Sequence, residues 1–242
     1  MKRKDALLVG CATLGCALYP SAGVSAQPVS VENGIPVAFV VGPMCNLIDL
    51  AGPWEAFSAV WQTKGTHQPP PPGSDHFGDV ANVEQVFAPY VVSDTLDPVK
   101  ADGRLRIVPD HTYDSAPAPK IIVMGAQSGH TPQKLAWIRE MADGADVVMS
   151  VCTGAYLFAA TGLLDGKRAT THHDYYDDFA KTYPKVELVR GPRYVENGKL
   201  KTAGGLTSGI NLTVAVVSEM MGEARGAQLA HYLEFVAAER RN

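Results

Sequence analysis

The stretch Val147-Val148-Met149-Ser150-Val151-Cys152-Thr153-Gly154-Ala155-Tyr156 constrains the fold more than any other part of the chain. Apolar, largely β-branched residues, interrupted only by Ser150, run to Val151, the pattern of a strand buried on both faces. Small residues follow at once and open a helix expected from Thr153 to Ala160, so strand passes into helix without a loop. A buried strand feeding directly into a helix is the unit of a parallel sheet covered on both sides. Cys152 stands on the turn itself.

The same alternation extends along the chain. Ile35 to Val41 reads as a buried strand, and Pro53 to Val60 as a helix with Trp54, Phe57 and Val60 at helical spacing. Val86 to Val92, Leu105 to Val108, Ile121 to Met124 and Asp146 to Val151 read as further strands. Thr131-Pro132 marks a helix start, with threonine as cap and proline first, and that helix runs to about Met141. Asp174 to Lys181 reads as helical. Arg193 to Lys201 holds Asn197-Gly198, a strong hairpin signal. Helices from Gly209 to Met221 and from Glu223 to Arg240 close the sequence. The expected fold is α/β: one domain with a doubly wound, mostly parallel sheet and helices on both faces, of the flavodoxin-like kind.

Lys2, Arg3 and Lys4 precede an apolar stretch from Ala6 to Leu18, and Val24-Ser25-Ala26 supplies small residues for cleavage. Residues 1–26 therefore read as a secretory signal, too short and wrongly flanked for a membrane span. Leu8-Val9-Gly10-Cys11 also has the look of a lipoprotein box, although the apolar run before Cys11 is short. The expected product is exported, periplasmic or secreted, and comprises residues 27–242. Within it, residues 63–79 include Pro69 to Pro72 and read as a surface insertion. Without Lys2, Arg3, Lys4 and Asp5 the chain keeps 18 basic and 24 acidic side chains, a net charge of −6 with no basic run. Nucleic acid and anionic membrane surfaces are poor partners for such a chain. Only Cys45 and Cys152 remain after cleavage, so at most one disulfide can form. A bridge between them would mask the reactive thiol; a buried, unpaired Cys45 is the expectation.

At the carboxyl end of a parallel strand, Cys152 is placed where such sheets bind ligands. The adjoining helix start offers unsatisfied N–H groups and a positive dipole end, which would lower the thiol pKa and hold a developing anion. Gly154 permits the close approach that such a turn needs. A buried cysteine acting as a small hydrophobe is the simpler alternative.

Val151-Cys152-Thr153-Gly154-Ala155, together with Gly162-Leu163-Leu164-Asp165-Gly166-Lys167-Arg168-Ala169-Thr170-Thr171-His172, closely resembles the ThiJ/PfpI superfamily, relatives of the class I glutamine amidotransferases. Asp49-Leu50-Ala51-Gly52-Pro53-Trp54-Glu55 resembles the family's motif after the first strand. Asp97-Pro98-Val99 and Ile107-Val108-Pro109-Asp110 resemble its second and third strands, and Gly204-Gly205-Leu206-Thr207-Ser208-Gly209-Ile210 its C-terminal glycine motif. The resemblance spans Ile35 to Glu234 apart from the proline insertion. Protease-like members carry histidine directly after the cysteine; Thr153 stands there instead, which points away from a peptidase. Asp49 with Cys152-Thr153-Gly154 is more similar to the isonitrile hydratase branch. It also resembles the amidase-like domains of AraC-type regulators, but no DNA-binding helix pair follows in this sequence and an exported protein would meet no operator.

That branch implies roles for named positions. Cys152 would attack a small electrophile as a thiolate, Asp49 would be the general acid and base, and Thr153 would position substrate or water. Read locally, Asp49 could also be a helix cap ahead of Pro53. Gly125 and Ala126 occupy the position of a Gly-Gly pair that supplies a second oxyanion N–H, with alanine as a departure. Asn211 stands where many relatives carry aspartate. His172 would lie near the cysteine in some members; otherwise it is a strand-end histidine. His173 with Asp174, Asp177 and Asp178 reads as a solvated face, and neither metal nor cofactor is expected. The resemblance implies a homodimer acting on a small molecule. A redox-sensing stress protein that works through Cys152 oxidation, and a glyoxalase-type aldehyde hydratase, are the alternatives.

Overall fold

The computed structural model describes residues 34–66, 68–69 and 82–235. The expected signal segment and most of the proline insertion lie outside the described residues, and the last helix, expected to run from Glu223 to Arg240, ends at Tyr232. Seven strands form one sheet: β1 (Ile35–Val40), β2 (Phe87–Ser93), β3 (His111–Thr112), β4 (Ile121–Met124), β5 (Val147–Val151), β6 (Tyr194–Asn197) and β7 (Leu200–Ala203). Their order is β6-β7-β5-β4-β1-β2-β3, parallel throughout except for the β6–β7 hairpin. β1 lies near the middle, with chain winding outward on both sides, as the sequence predicts.

Alternation along each strand sorts the core into two layers. Val37 and Phe39 of β1 face α1 (Leu47–Ser58), α5 (Ser208–Met221) and α6 (Glu223–Tyr232), packing with Phe57, Leu212, Val216 and Leu229. Ala38 and Val40 face the opposite side. There they join Trp137 and Ile138 of α2 (Pro132–Gly144), Phe158 of α3 (Gly154–Ala160) and Phe179 of α4 (Tyr176–Thr182). Among the described residues, no helix is long and apolar enough to cross a membrane.

Several expectations shift. The first helix begins at Leu47, six residues before Pro53, because Asn46 caps it: Oδ1 accepts from the Ile48 and Asp49 N–H groups at 3.1 and 3.4 Å. Pro53 lies inside this helix, and Asp49 is in its first turn rather than at a cap. Leu105 to Val108 does not join the sheet; Arg106–Ile107 makes a two-residue pair with Val99–Lys100, and Leu105 and Val108 stay exposed. The edge strand is His111–Thr112 instead. The helix expected from Asp174 opens as a 3-10 turn, His173–Tyr175, before α4. In the β6–β7 hairpin Asn197 pairs with Leu200, so the turn is Gly198-Lys199, with Gly198 at φ 57°. The flanks of the proline insertion, Trp61–Thr63 and Val83–Gln85, pair antiparallel.

Gly154 is where α3 meets the sheet. A Cβ there would stand 2.2 Å from the Met124 carbonyl oxygen and 2.9 Å from Gly125. The backbone of β4 would have to move, and it is held on both sides by β1 and β5. Gly154→Ala is therefore expected to destabilise the domain by about 2 kcal/mol or more. Urea unfolding checks this, and a midpoint equal to that of the unmodified chain would show that the approach is not tight.

Candidate active site

Four neighbouring strands, β7, β5, β4 and β1, end at one edge of the sheet, and each is followed by a residue of the site. After β5 comes Cys152, which adopts φ 58° and is only 6% exposed. Its N–H donates to the Ala203 and Gly204 carbonyls at 3.2 and 2.8 Å. Its own carbonyl accepts the Thr171 hydroxyl at 2.9 Å. A non-glycine residue with positive φ is costly. These bonds on either side of the Cα hold it there.

After β1, the first turn of α1 delivers Asp49, which is completely buried. Its Oδ2 accepts the Ala126 N–H, from the turn after β4, at 3.0 Å. Oδ1 meets no well-aligned donor, although the Cys152 thiol and the Leu206 N–H lie close enough to pull on the carboxyl. Burial pushes the Asp49 pKa up to about 6, against the opposing pull of Ala126, Cys152 and Leu206. The Gly125-Ala126 turn is itself secured. Gln127 Nε2 donates to the Val40 and Gly125 carbonyls at 2.7 and 3.2 Å, and the fully buried Lys134 holds Gln127 Oε1 at 3.2 Å. A Cβ on Gly125 would come within 3.0 Å of the Asp49 Cβ.

The sequence expectation of a lowered thiol pKa is overturned. Burial pushes Cys152 up to about 11, the Asp49 charge pushes the same way, and the Thr153 and Leu206 N–H groups only partly offset both. α3 has seven residues, and its amino end does not outweigh a buried carboxylate next to the sulfur. At neutral pH the pair rests as thiol and carboxylate. The two titrations are coupled, so both steps belong to the pair.

Thr153 is the cap residue of α3, but its side chain makes no cap hydrogen bond, leaving the hydroxyl free of that duty. The Ala126 amide expected to serve an oxyanion is engaged by Asp49. His172 makes no hydrogen bond to Cys152 or Asp49. Its Nδ1 accepts the Asp174 N–H at 3.2 Å, capping the 3-10 turn, and its ring lies against Gly205. His172, His173 and Asp174 bring one ligand atom each within 4.8 Å, the one such cluster among the described residues. Asp177 pairs with Arg190, and Asp178 accepts the Tyr156 hydroxyl. Cys45 is buried and unpaired, as is Cys152.

Sequence reasoning missed two residues. Leu206, which follows β7, adopts φ 51°, and its N–H draws down the pKa of both Asp49 and Cys152. Thr171 anchors the Cys152 carbonyl. Gly204-Gly205 was the available signal for the first, since paired glycines commonly bring backbone close to a ligand.

The cysteine on a left-handed turn, with a buried carboxylate from the helix after the first strand beside it, sits in a chain whose residues 36–219 match the DJ-1/PfpI family model. The chain belongs to the DJ-1/PfpI family. An isonitrile hydratase from Pseudomonas putida is 30% identical over 207 residues, spanning 84% of this chain and 79% of the hydratase. A helix-turn-helix-type transcriptional regulator from Pseudomonas aeruginosa is 31% identical over 100 residues, 41% of this chain and 28% of the regulator. A ThiJ/PfpI family protein from Pseudomonas syringae superposes with a TM-score of 0.65 at 22% identity, covering 93% of this chain and 87% of that one. DJ-1/PfpI members thus include a named enzyme and named regulators, and the reaction must be argued from the site.

Between pH 3.8 and about 6 the folded protein keeps a proton on Asp49 that the unfolded chain has released, so stability falls as pH rises through that window. Asp49→Asn keeps an acceptor for the Ala126 N–H and carries no charge. It is expected to be more stable than the unmodified protein at pH 8, by about 1–3 kcal/mol, with the gain disappearing near pH 4. Urea midpoints at the two pH values measure this. An Asn variant weaker at pH 8 would mean that the carboxylate is not under strain.

Proposed function

We propose that the protein hydrates a small electrophile through Cys152, and that the electrophile is an isonitrile, converted to an N-substituted formamide. The observation that carries this reading is the buried Asp49 carboxylate beside a protonated thiol, with its pKa raised to about 6. Such a carboxylate is ionised at neutral pH yet close enough to neutrality to return a proton, which suits one group acting in turn as base and acid.

The steps balance on these two side chains. Asp49 takes the Cys152 proton as the sulfur attacks the terminal carbon of R–N≡C, and then gives that proton to the same carbon. The product is a thioimidate, Cys–S–CH=N–R. Water, deprotonated by Asp49, adds to the thioimidate carbon, and nitrogen takes up one of its hydrogens. The C–S bond then breaks, sulfur recovers a proton, and R–NH–CHO leaves. No redox change occurs. The Thr153 hydroxyl, unspent on helix capping, would orient the substrate or the water.

The relative named as an isonitrile hydratase supports this choice of substrate, since its match extends over most of both chains. The peroxide-sensing alternative is less well supported, because the thiolate is the form that peroxide oxidises and burial with Asp49 disfavours that form here.

Incubation with an alkyl isonitrile should yield the formamide, with intact mass reporting any covalent adduct. Cys152→Ser should lower turnover on the order of a thousandfold or more. Asp49→Asn should lower it roughly 10²–10⁴-fold. kcat/KM should rise with pH through about 6, as Asp49 ionises, and hold level to pH 9. Turnover that survives in Cys152→Ser, or neither product nor adduct from the unmodified protein, would overturn the proposal.

A further inference from the structure

With the Ala126 amide spent on Asp49, the donors left facing the Cys152 sulfur are the N–H groups of Thr153 and Leu206. Thr153 gains its place simply by following the cysteine. Leu206 does not. It sits at φ 51°, a conformation a leucine holds only where its surroundings impose it.

Backbone bonds hold the turn from within, since the Gly205 and Leu206 carbonyls accept the Ser208 and Gly209 N–H groups at 3.0 Å each, and one residue braces it from outside. The Arg193 carbonyl, at the start of the β6–β7 hairpin, accepts the Gly204 N–H at 2.9 Å. Its guanidinium reaches past the turn: Nη2 donates to the Thr207 hydroxyl at 3.0 Å, and Nε and Nη2 donate to Asn211 Oδ1 at 2.8 and 2.5 Å. Arg193 thus grips the turn before Gly205 and after Leu206. On the remaining side the His172 ring covers Gly205 so closely that a Cβ there would stand 2.2 Å from its Cδ2. Two details set this grip apart from ordinary surface bonding. Thr207 is the cap residue of α5, yet its hydroxyl caps no helix N–H and instead accepts from Arg193. Asn211 is neutral, so the fork of donors is being used for its shape rather than for a charge pair.

We propose that Arg193 is a positioning residue of this site: by fixing both ends of the Gly204–Thr207 turn it keeps the Leu206 N–H aimed at the Cys152 sulfur, where negative charge develops when the thiol loses its proton. The proposal rests on Cys152 being the nucleophile, but not on the identity of the electrophile. Among the described residues, Asp49, from α1, is the charged group acting on the sulfur. It shares the Leu206 N–H, so the profile is read from pH 8 upward, where Asp49 is already ionised and a change in thiol ionisation reports on the amide.

The test is the pH–rate profile of Cys152 alkylation by iodoacetamide, followed by mass spectrometry of the Cys152 peptide so that Cys45 does not contribute. Arg193→Ala should move the profile up by about half a pH unit or more, a slowing of about threefold at pH 8, as part of one hydrogen bond to a charged group is lost. Arg193→Lys, which cannot reach both acceptors as a fork, should fall between the two. Should Arg193→Ala fail to fold, Asn211→Ala removes one arm of the grip and should shift the profile in the same direction. An unshifted profile in a folded Arg193→Ala protein, or in Asn211→Ala where the first does not fold, overturns the proposal. Alkylation needs no turnover, so failure to hydrate isonitriles would leave this result standing.

Discussion

A carboxyl group and a thiol kept dry within reach of each other set the terms for the rest of this structure. Asp49 is wholly buried and Cys152 nearly so. Each raises the pKa of the other or is restrained by it, and burial drives both toward their neutral forms. A lone buried aspartate would be difficult to hold ionised at neutral pH. The Ala126 N–H, 3.0 Å from Oδ2, makes it tolerable, and that amide is in turn fixed by Gln127 and the buried Lys134. The loop after β4 is thus built around a charge delivered from the helix after β1, which explains why Gly125 leaves no room for a side chain.

The geometry that brings these groups together breaks local rules, and two of the breaks lie side by side. Cys152 and Leu206 both adopt left-handed backbone without being glycine. Each such residue costs on the order of 1–3 kcal/mol, and persists only where its neighbours over-determine it. Here the neighbours are the ends of β5 and β7, which are adjacent strands: the Cys152 N–H bonds to Ala203 and Gly204, just before the Leu206 turn. The strain at one residue is held by the strand that leads into the other. A parallel sheet with apolar layers on both faces supplies a frame stiff enough to bear it.

What the sequence revealed follows this division between frame and site. Buried strands such as Ile121–Met124 and Val147–Val151, apolar but for Ser150, could be read directly, as could the Thr131-Pro132 helix start. The turn at Cys152 was legible for the same reason, because the strand stops where the small residues begin. The start of α1 was not, since Pro53 gives a stronger local signal than Asn46 although it lies within the helix. Leu206 was signalled only indirectly, by the Gly204-Gly205 pair before it: leucine has no preference for positive φ, and the contacts that Arg193 and His172 make with its neighbours are tertiary. The direction of the Cys152 pKa was misread because a helix end is visible in sequence whereas the depth of burial is not.

Equivalence of motif position is therefore a weaker guide than the fate of each amide. Ala126 stands where a family resemblance places an anion-binding N–H, yet the acceptor it meets in this chain is its own Asp49. An N–H can stabilise a developing charge only if it is not already committed to a permanent one. That requirement leaves the duty to Thr153 and Leu206: the Thr153 N–H acts on the sulfur and not on the carboxylate, whereas the Leu206 N–H is shared between the two. Leu206 holds its left-handed conformation just past the strand beside Cys152, and its N–H is the second of the two amides that draw the thiol pKa down against burial and the Asp49 charge.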